Sequence, residues 1–254
     1  MAVQESQVVL NELDAELEAA RVRAEYEDRI EPRAVKAWYD ARCGLVTVEL
    51  KNGCIFGFPP PDDPYWELAG VGPDQLAKVE LDDNGRLLLW DDIDAGIVLP
   101  GLLLHLLNVK AWCAKWYDET CGCDPLPEHE FVTYRDLDAQ IEAAREAAVH
   151  QDRIEPRVAK AWYDREGGRV MITLKNGCLF GFPPPDVPRW GLVGATADQL
   201  AKVEPDCSGE GLHWESLDAD LSVPGLLLHL LNVKEWCGKW FGVPETEADA
   251  PRST

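Results

Sequence analysis

Leu10, Leu13, Leu17 and Ala20 recur at three- and four-residue spacing with Asp, Glu and Arg between them, which predicts an amphipathic helix at the start of the chain. The pattern then switches to period two. "AVKAWYD" and "LVTVEL" alternate, are rich in β-branched and aromatic residues, and are separated by a turn containing Gly44, so both read as strands. "NG" at 52–53 is a hairpin turn leading into a third strand, "CIFGF", which the prolines at 59–61 stop because proline cannot donate to a sheet ladder. A short helix around "PDQLAKV", a strand centred on Trp90 and a helix over "PGLLLHLLNVK" complete the set. In that helix Leu102, Leu103, Leu106, Leu107 and Val109 form a wide apolar face, and Pro100 sits in the first turn, where its missing N–H does no harm.

Every one of these elements is then written again. "PGLLLHLLNVK" at 100–110 returns at 224–234, an offset of 224 − 100 = 124, and the same offset aligns "DRIEPRAVKAWYD" (28–40) with "DRIEPRVAKAWYD" (152–164) and "LKNGCIFGFPPPD" (50–62) with "LKNGCLFGFPPPD" (174–186) without a gap. A period this long is a duplicated domain and not a solenoid unit of ~20–50 residues. The expected fold is therefore α+β: two tandem homologous domains, each a small antiparallel sheet with flanking helices, related by pseudo-two-fold symmetry as a fused homodimer would be. The divisions are an N-terminal helix (1–27), a first domain (28–118), an acidic linker and helix (119–151), a second domain (152–242) and a disordered tail (243–254).

Composition is globular, 46% hydrophobic and 28% charged, but 24 basic against 46 acidic residues leave a formal net charge of −22. Such a field repels phosphate backbones and anionic lipid, so nucleic-acid and membrane-surface binding are disfavoured and a basic protein is the better-matched partner. The most apolar stretch is broken by Pro100 and Gly101 and carries His105 and Lys110, short of a membrane span. Eight cysteines in 254 residues is not disulfide-scaffold density, and with no leader-like N-terminus the chain reads as cytoplasmic with reduced thiols.

"GEGLHWESLDADLSVPG" (209–225) is the stretch that most suggests chemistry. On a strand, Asp218 and Asp220 would share a face, and with His213 they could support acid–base work or hold a ligand. The competing reading makes Trp90 and Trp214 core anchors and the aspartates turn or cap groups. The first repeat carries Leu89 and Gly96 in place of His213 and Asp220, so a site built on them would exist once. "CGCDPLPEHE" groups Cys121, Cys123, Asp124, Glu128 and His129 as a weak metal alternative, its Cys-x-Cys spacing tighter than that of zinc sites. His105 and His229 read as helix-face histidines. Trp66 and Trp190 read either as core or as surface anchors for a partner, and Trp214 joins them as a partner-binding candidate. No phosphate loop, dinucleotide fingerprint or nucleophile elbow is present, and no cofactor is expected.

The "KAWYD", "NG..F.FP", "DQLAKVE" and "GLHWESLDADLSVPGLL" segments resemble the DUF2442 family over about residues 28–116 and 152–240. That resemblance implies a small bacterial α+β domain, usually present once, sometimes joined to a helix-turn-helix, with some members lying beside small proteins as in toxin–antitoxin pairs. It supplies no catalytic residues. The expected function is a non-enzymatic, acidic, antitoxin-like module that regulates or neutralises a basic partner, and the alternative is an enzyme or small-molecule sensor centred on His213, Asp218 and Asp220.

Overall fold

The computed structural model describes residues 2–61, 66–112, 145, 149 and 153–241. It is an α+β molecule in which two sheet-and-helix regions resemble tandem domains. The first half contains α1 (Ala2–Ile30), β1 (Ala34–Asp40), β2 (Leu45–Leu50), β3 (Ile55–Phe58), α2 (Pro73–Leu76), β4 (Glu80–Leu81), β5 (Leu87–Trp90), β6 (Ala95–Val98), α3 (Leu99–Leu106) and α4 (Val109–Trp112). The second repeats the order with β7 (Val158–Asp164), β8 (Arg169–Leu174), β9 (Leu179–Phe182), α5 (Ala197–Leu200), β10 (Glu204–Pro205), β11 (Gly211–Trp214), β12 (Ala219–Ser222), α6 (Val223–Leu230) and α7 (Val233–Phe241).

The hairpins form where the turn residues dictate. Gly53 and Gly177 take positive φ (80° and 86°) after Asn52 and Asn176, whose Oδ1 atoms accept from the N–H groups of Cys54 and Cys178 at 3.1 Å. Alternation then sends Val46, Val48, Phe56 and Phe58, with Val170, Ile172, Phe180 and Phe182, to one wholly buried face of the sheet. Side chains of this size contribute about 1.5–3 kcal/mol each when fully buried. The leucine helices α3 and α6 supply Leu102, Leu103, Leu226 and Leu227 to the same core, which is one contiguous cluster running through both halves.

Separate sheets were expected in the two repeats, and four differences from the sequence reading stand out. The long hairpins merge into a single six-stranded sheet of order β1-β2-β3-β9-β8-β7. Its seam pairs β3 with β9 antiparallel in the register Ile55↔Gly181, Phe56↔Phe180, Gly57↔Leu179. Each half also keeps a three-stranded sheet, β4-β5-β6 and β10-β11-β12, where one strand had been expected. The "PGLLLHLLNVK" helix is interrupted at Asn108 and Asn232, which adopt φ of 50° and 52°, a left-handed conformation that Asn tolerates better than most residues. Finally, Leu17 and Ala20, expected on a buried helix face, are exposed, as is most of α1 from Glu16 to Tyr26.

Asparagine side chains stitch the seam in both directions. Asn52 Nδ2 donates to Leu230 O at 2.6 Å, and Asn176 Nδ2 donates to Leu106 O at 2.7 Å. Asn108 Nδ2 donates to Ile154 O at 3.1 Å, and Asn232 Nδ2 to Ile30 O at 3.3 Å. One contact has no counterpart at the 124-residue offset: Arg169 pairs with Glu49 at 2.5 Å and donates through Nε to Gly53 O at 2.8 Å, whereas the matching positions hold Leu45 and Thr173. Replacing Asn52 or Asn176 with alanine removes two hydrogen bonds and is expected to lower stability by about 1–3 kcal/mol each in urea unfolding. A double variant within about 0.5 kcal/mol of the parent would show that the inter-half bonds contribute nothing in solution.

Candidate functional site

The strand pair β11–β12 places His213 directly opposite Asp220. His213 Nδ1 lies 2.7 Å from Asp220 Oδ1. An ionised carboxylate has no proton to give, so the imidazole donates through Nδ1–H and its Nε2 edge is left for another group. Both side chains reach solvent, His213 at 42% and Asp220 at 78% exposure, so the pair is a surface feature and not a buried dyad.

Asp218 does not join them. It precedes β12 in a left-handed conformation (φ 48°) and closes the 3-10 turn Glu215–Leu217 through its N–H, so the strand alternation that would align it with Asp220 does not apply. Asp94 closes the matching turn at φ 51°, which makes this a folding role shared by both halves. Trp214 is likewise corrected from a partner-binding candidate: it is fully buried, with Nε1 donating to Leu200 O at 3.2 Å, and Trp90 does the same to Leu76 O at 3.2 Å. A side chain with no exposed surface cannot touch a partner.

Trp66 and Trp190 are different. Both are half-buried at the margin of the core, and each meets the exposed histidine of the leucine helix: Trp66 with His105 at 5.2 Å between ring centroids, Trp190 edge-on to His229 at 4.8 Å. Sequence reasoning set both histidines aside. No local signal could have found these pairs, because 39 residues separate the partners in each half (105 − 66 and 229 − 190).

Two depressions flank the His213–Asp220 pair. The larger, about 540 Å³, is lined by Lys202, Glu204, His213, Glu215 and Ser216. At the equivalent place in the first half Lys78 forms an ion pair with Asp92, whereas Ser216 replaces that aspartate in the second half. The smaller, about 200 Å³, lies on the Asp220 side against Trp190 and His229.

A second polar arrangement escaped the sequence reading although its residues lie in the repeated "DRIEPR". Arg33 Nη1 meets Glu31 Oε2 at 2.8 Å with Arg86 Nε at 3.4 Å from the same oxygen, and both Glu31 and Arg33 are buried. In the second half Arg157 Nη1 meets Glu155 at 2.9 Å and Glu210 at 3.5 Å. The halves differ in the third member, Arg86 beside Glu31 in the first and Glu210 beside Arg157 in the second, while Arg33 also meets Asp28 at 3.3 Å. These pairs anchor the entry to β1 and β7, and removing one partner would leave a buried charge.

Cys121, Cys123 and His129 lie outside the described residues, and among the described residues no group of three or more His, Cys, Asp or Glu is placed to hold a metal. The described helices include none long and apolar enough to cross a membrane. Burial pushes the Cys54 and Cys178 thiols up to about 12, which keeps them protonated at neutral pH. Neither is expected to react with a thiol reagent at pH 8 in the native chain, whereas exposed Cys207 reacts promptly. Peptide mapping after brief labelling checks this, and fast modification of Cys178 would mean that the sheet opens there.

The class these features define is an α+β protein with two sheet-and-helix regions. The family described as "Protein of unknown function (DUF2442)" matches residues 158–230, so the second half contains a DUF2442 region. No curated protein matches the chain. Among solved structures, a protein of unknown function from Rhodospirillum rubrum ATCC 11170 is 54% identical, covering 32% of this chain and 96% of that one with a TM-score of 0.27. An uncharacterized protein from Chromobacterium violaceum is 27% identical, covering 44% of this chain and 96% of that one with a TM-score of 0.32.

Proposed function

We propose that the chain is a non-enzymatic protein-binding module, produced by duplication of a DUF2442-like domain and acting as an intramolecular pseudo-dimer that docks, and thereby regulates or neutralises, a basic partner protein. The seam supports the pseudo-two-fold axis. Its register is centred on Phe56↔Phe180, residues 124 apart, and each asparagine bond across it is matched by the reverse bond from the other half. The observation that carries the docking role is the pair of half-buried tryptophans, each beside an exposed histidine, in a chain of net charge −22. Aromatic anchors supply interface area at low entropic cost, and a strong negative field accelerates encounter with a cation-rich surface. The bacterial cytoplasm suits such a partner and keeps the thiols reduced.

Capture from a native lysate with the tagged full chain, at low and high salt, tests this. The account expects a small basic protein that is retained at low salt, released at high salt and lost from the Trp66→Ala/Trp190→Ala double variant. Recovery of the bare chain under both conditions contradicts it. A second reading, a ligand site confined to the second half, is favoured by the 2.7 Å His213–Asp220 contact between two depressions.

A further inference from the structure

The depression on the Asp220 side is lined by Arg189, Trp190, Asp220, Ser222, Leu226 and His229, among others, and holds about 200 Å³. Arg189 makes no hydrogen bond or ion pair with any described residue, and in particular does not pair with Asp220 although both line the same small cavity. Asp220 engages His213 through Oδ1, and Oδ2 has no partner among the described residues. Arg189 and Asp220 therefore line one small space without neutralising each other. A simple anion entering it meets Asp220, and a simple cation meets Arg189, so neither alone is well received. A molecule carrying both charges satisfies both ends.

Comparison of the halves points the same way. Arg189, Asp220 and Ser222 occupy the positions of Tyr65, Gly96 and Val98, so three polar groups lining this cavity give way to groups without charge in the other half, and His213, which contacts Asp220 from the neighbouring depression, gives way to Leu89. The packing residues beneath scarcely differ: "PGLLLHLLNVK" is identical in both. The halves also differ elsewhere, at Leu45/Arg169 and Arg86/Glu210 for example, but at this cavity the replacements bring together side chains of opposite charge for which core packing gives no reason.

We infer that this cavity binds a small zwitterion of free-amino-acid size, with its carboxylate on the Arg189 fork, its ammonium on Asp220 Oδ2, and its side chain against Trp190 and Leu226. The volume is below the roughly 300–1,000 Å³ of pockets for drug-sized ligands, which favours a ligand the size of a single amino acid. Bidentate guanidinium–carboxylate recognition and a charge-assisted ammonium contact are the strong hydrogen bonds available to such a ligand. The inference rests on the second reading above and shares only Trp190 with the docking role: loss of the basic partner leaves it standing, and loss of ligand binding in Arg189→Ala or Asp220→Asn leaves docking standing.

Calorimetric titration of the full chain with free amino acids of acidic, basic, aromatic and aliphatic type tests it. At least one is expected to bind, with affinity weakened about tenfold or more in Arg189→Ala and in Asp220→Asn, and with no binding by its N-acetyl or its amide derivative. Both substituted side chains are exposed, so neither change disturbs the core. The absence of binding by any amino acid up to about 10 mM overturns the inference. So does a binder that tolerates blocking of either end or either substitution.

Discussion

Truncating Trp214 to alanine is expected to lower the unfolding free energy by about 3–5 kcal/mol, a large share of the roughly 5–15 kcal/mol that holds a natural protein together. The indole is fully buried and its Nε1–H donates to Leu200 O at 3.2 Å, so the change leaves a cavity and removes one of the two hydrogen bonds to that carbonyl, which keeps only the Val203 N–H at 3.3 Å. Trp90→Ala should lose a similar amount through Leu76 O, because the two environments match. Urea unfolding of both variants measures it. A loss under about 1 kcal/mol at Trp214 would place the indole at the surface and reinstate it as a partner contact.

Alanine at Gly209 is expected to cost about 2–5 kcal/mol, comparable to losing the tryptophan. Gly209 takes φ of 78°, and a Cβ there would press into the Val158 carbonyl oxygen, while Gly209 O accepts the Val158 N–H at 2.7 Å. This close approach ties the small sheet to the start of β7, and Gly85 makes the same approach to Ala34 at φ 66°. Because the obstructing atoms are backbone, no rotamer change relieves the clash. Thermal unfolding of Gly209→Ala reads the effect directly. An unchanged midpoint would mean that β10–β12 does not sit against β7 as described.

Local patterns were legible in the sequence and distant pairings were not. Strands β1 to β3 followed from period-two alternation and the Asn-Gly turns, both of which act within a few residues. The repeat showed that two similar regions should exist, yet it could not show that β3 and β9 pair, since an exposed strand edge accepts any partner of suitable register. The asparagines explain part of what the repeated phrase does. Asn52 and Asn176 were legible as turn residues, but their Nδ2 donors go to the leucine helices of the opposite half, and Asn108 and Asn232 break those helices to reach across the seam. At the candidate site, "LHWESLDAD" identified His213 and Asp220 but not their separation from Asp218, because the 3-10 turn at Glu215–Leu217 resets the alternation. Arg189 and Trp190 reach that site from the 3-10 turn Pro188–Trp190, far away in sequence, and nothing in their immediate neighbours ties them to it.

The two halves do not pair as two identical subunits would. Arg169 meets Glu49 on one side of the seam, while Leu45 and Thr173 occupy the matching positions on the other. A pair of first halves would set Glu49 against Leu45, and a pair of second halves would set Arg169 against Thr173. The ion pair therefore favours the mixed arrangement, in which one partner's charge is met by the other's.

Cutting the full chain once, at a protease site introduced between residues 119 and 151, and weighing the product by light scattering tests the pseudo-dimer most directly. The account predicts that the nicked halves stay together as a single particle of about 28.3 kDa, held by the β3–β9 ladder and the reciprocal asparagine bonds. Two separate particles, each close to half that mass, would contradict it.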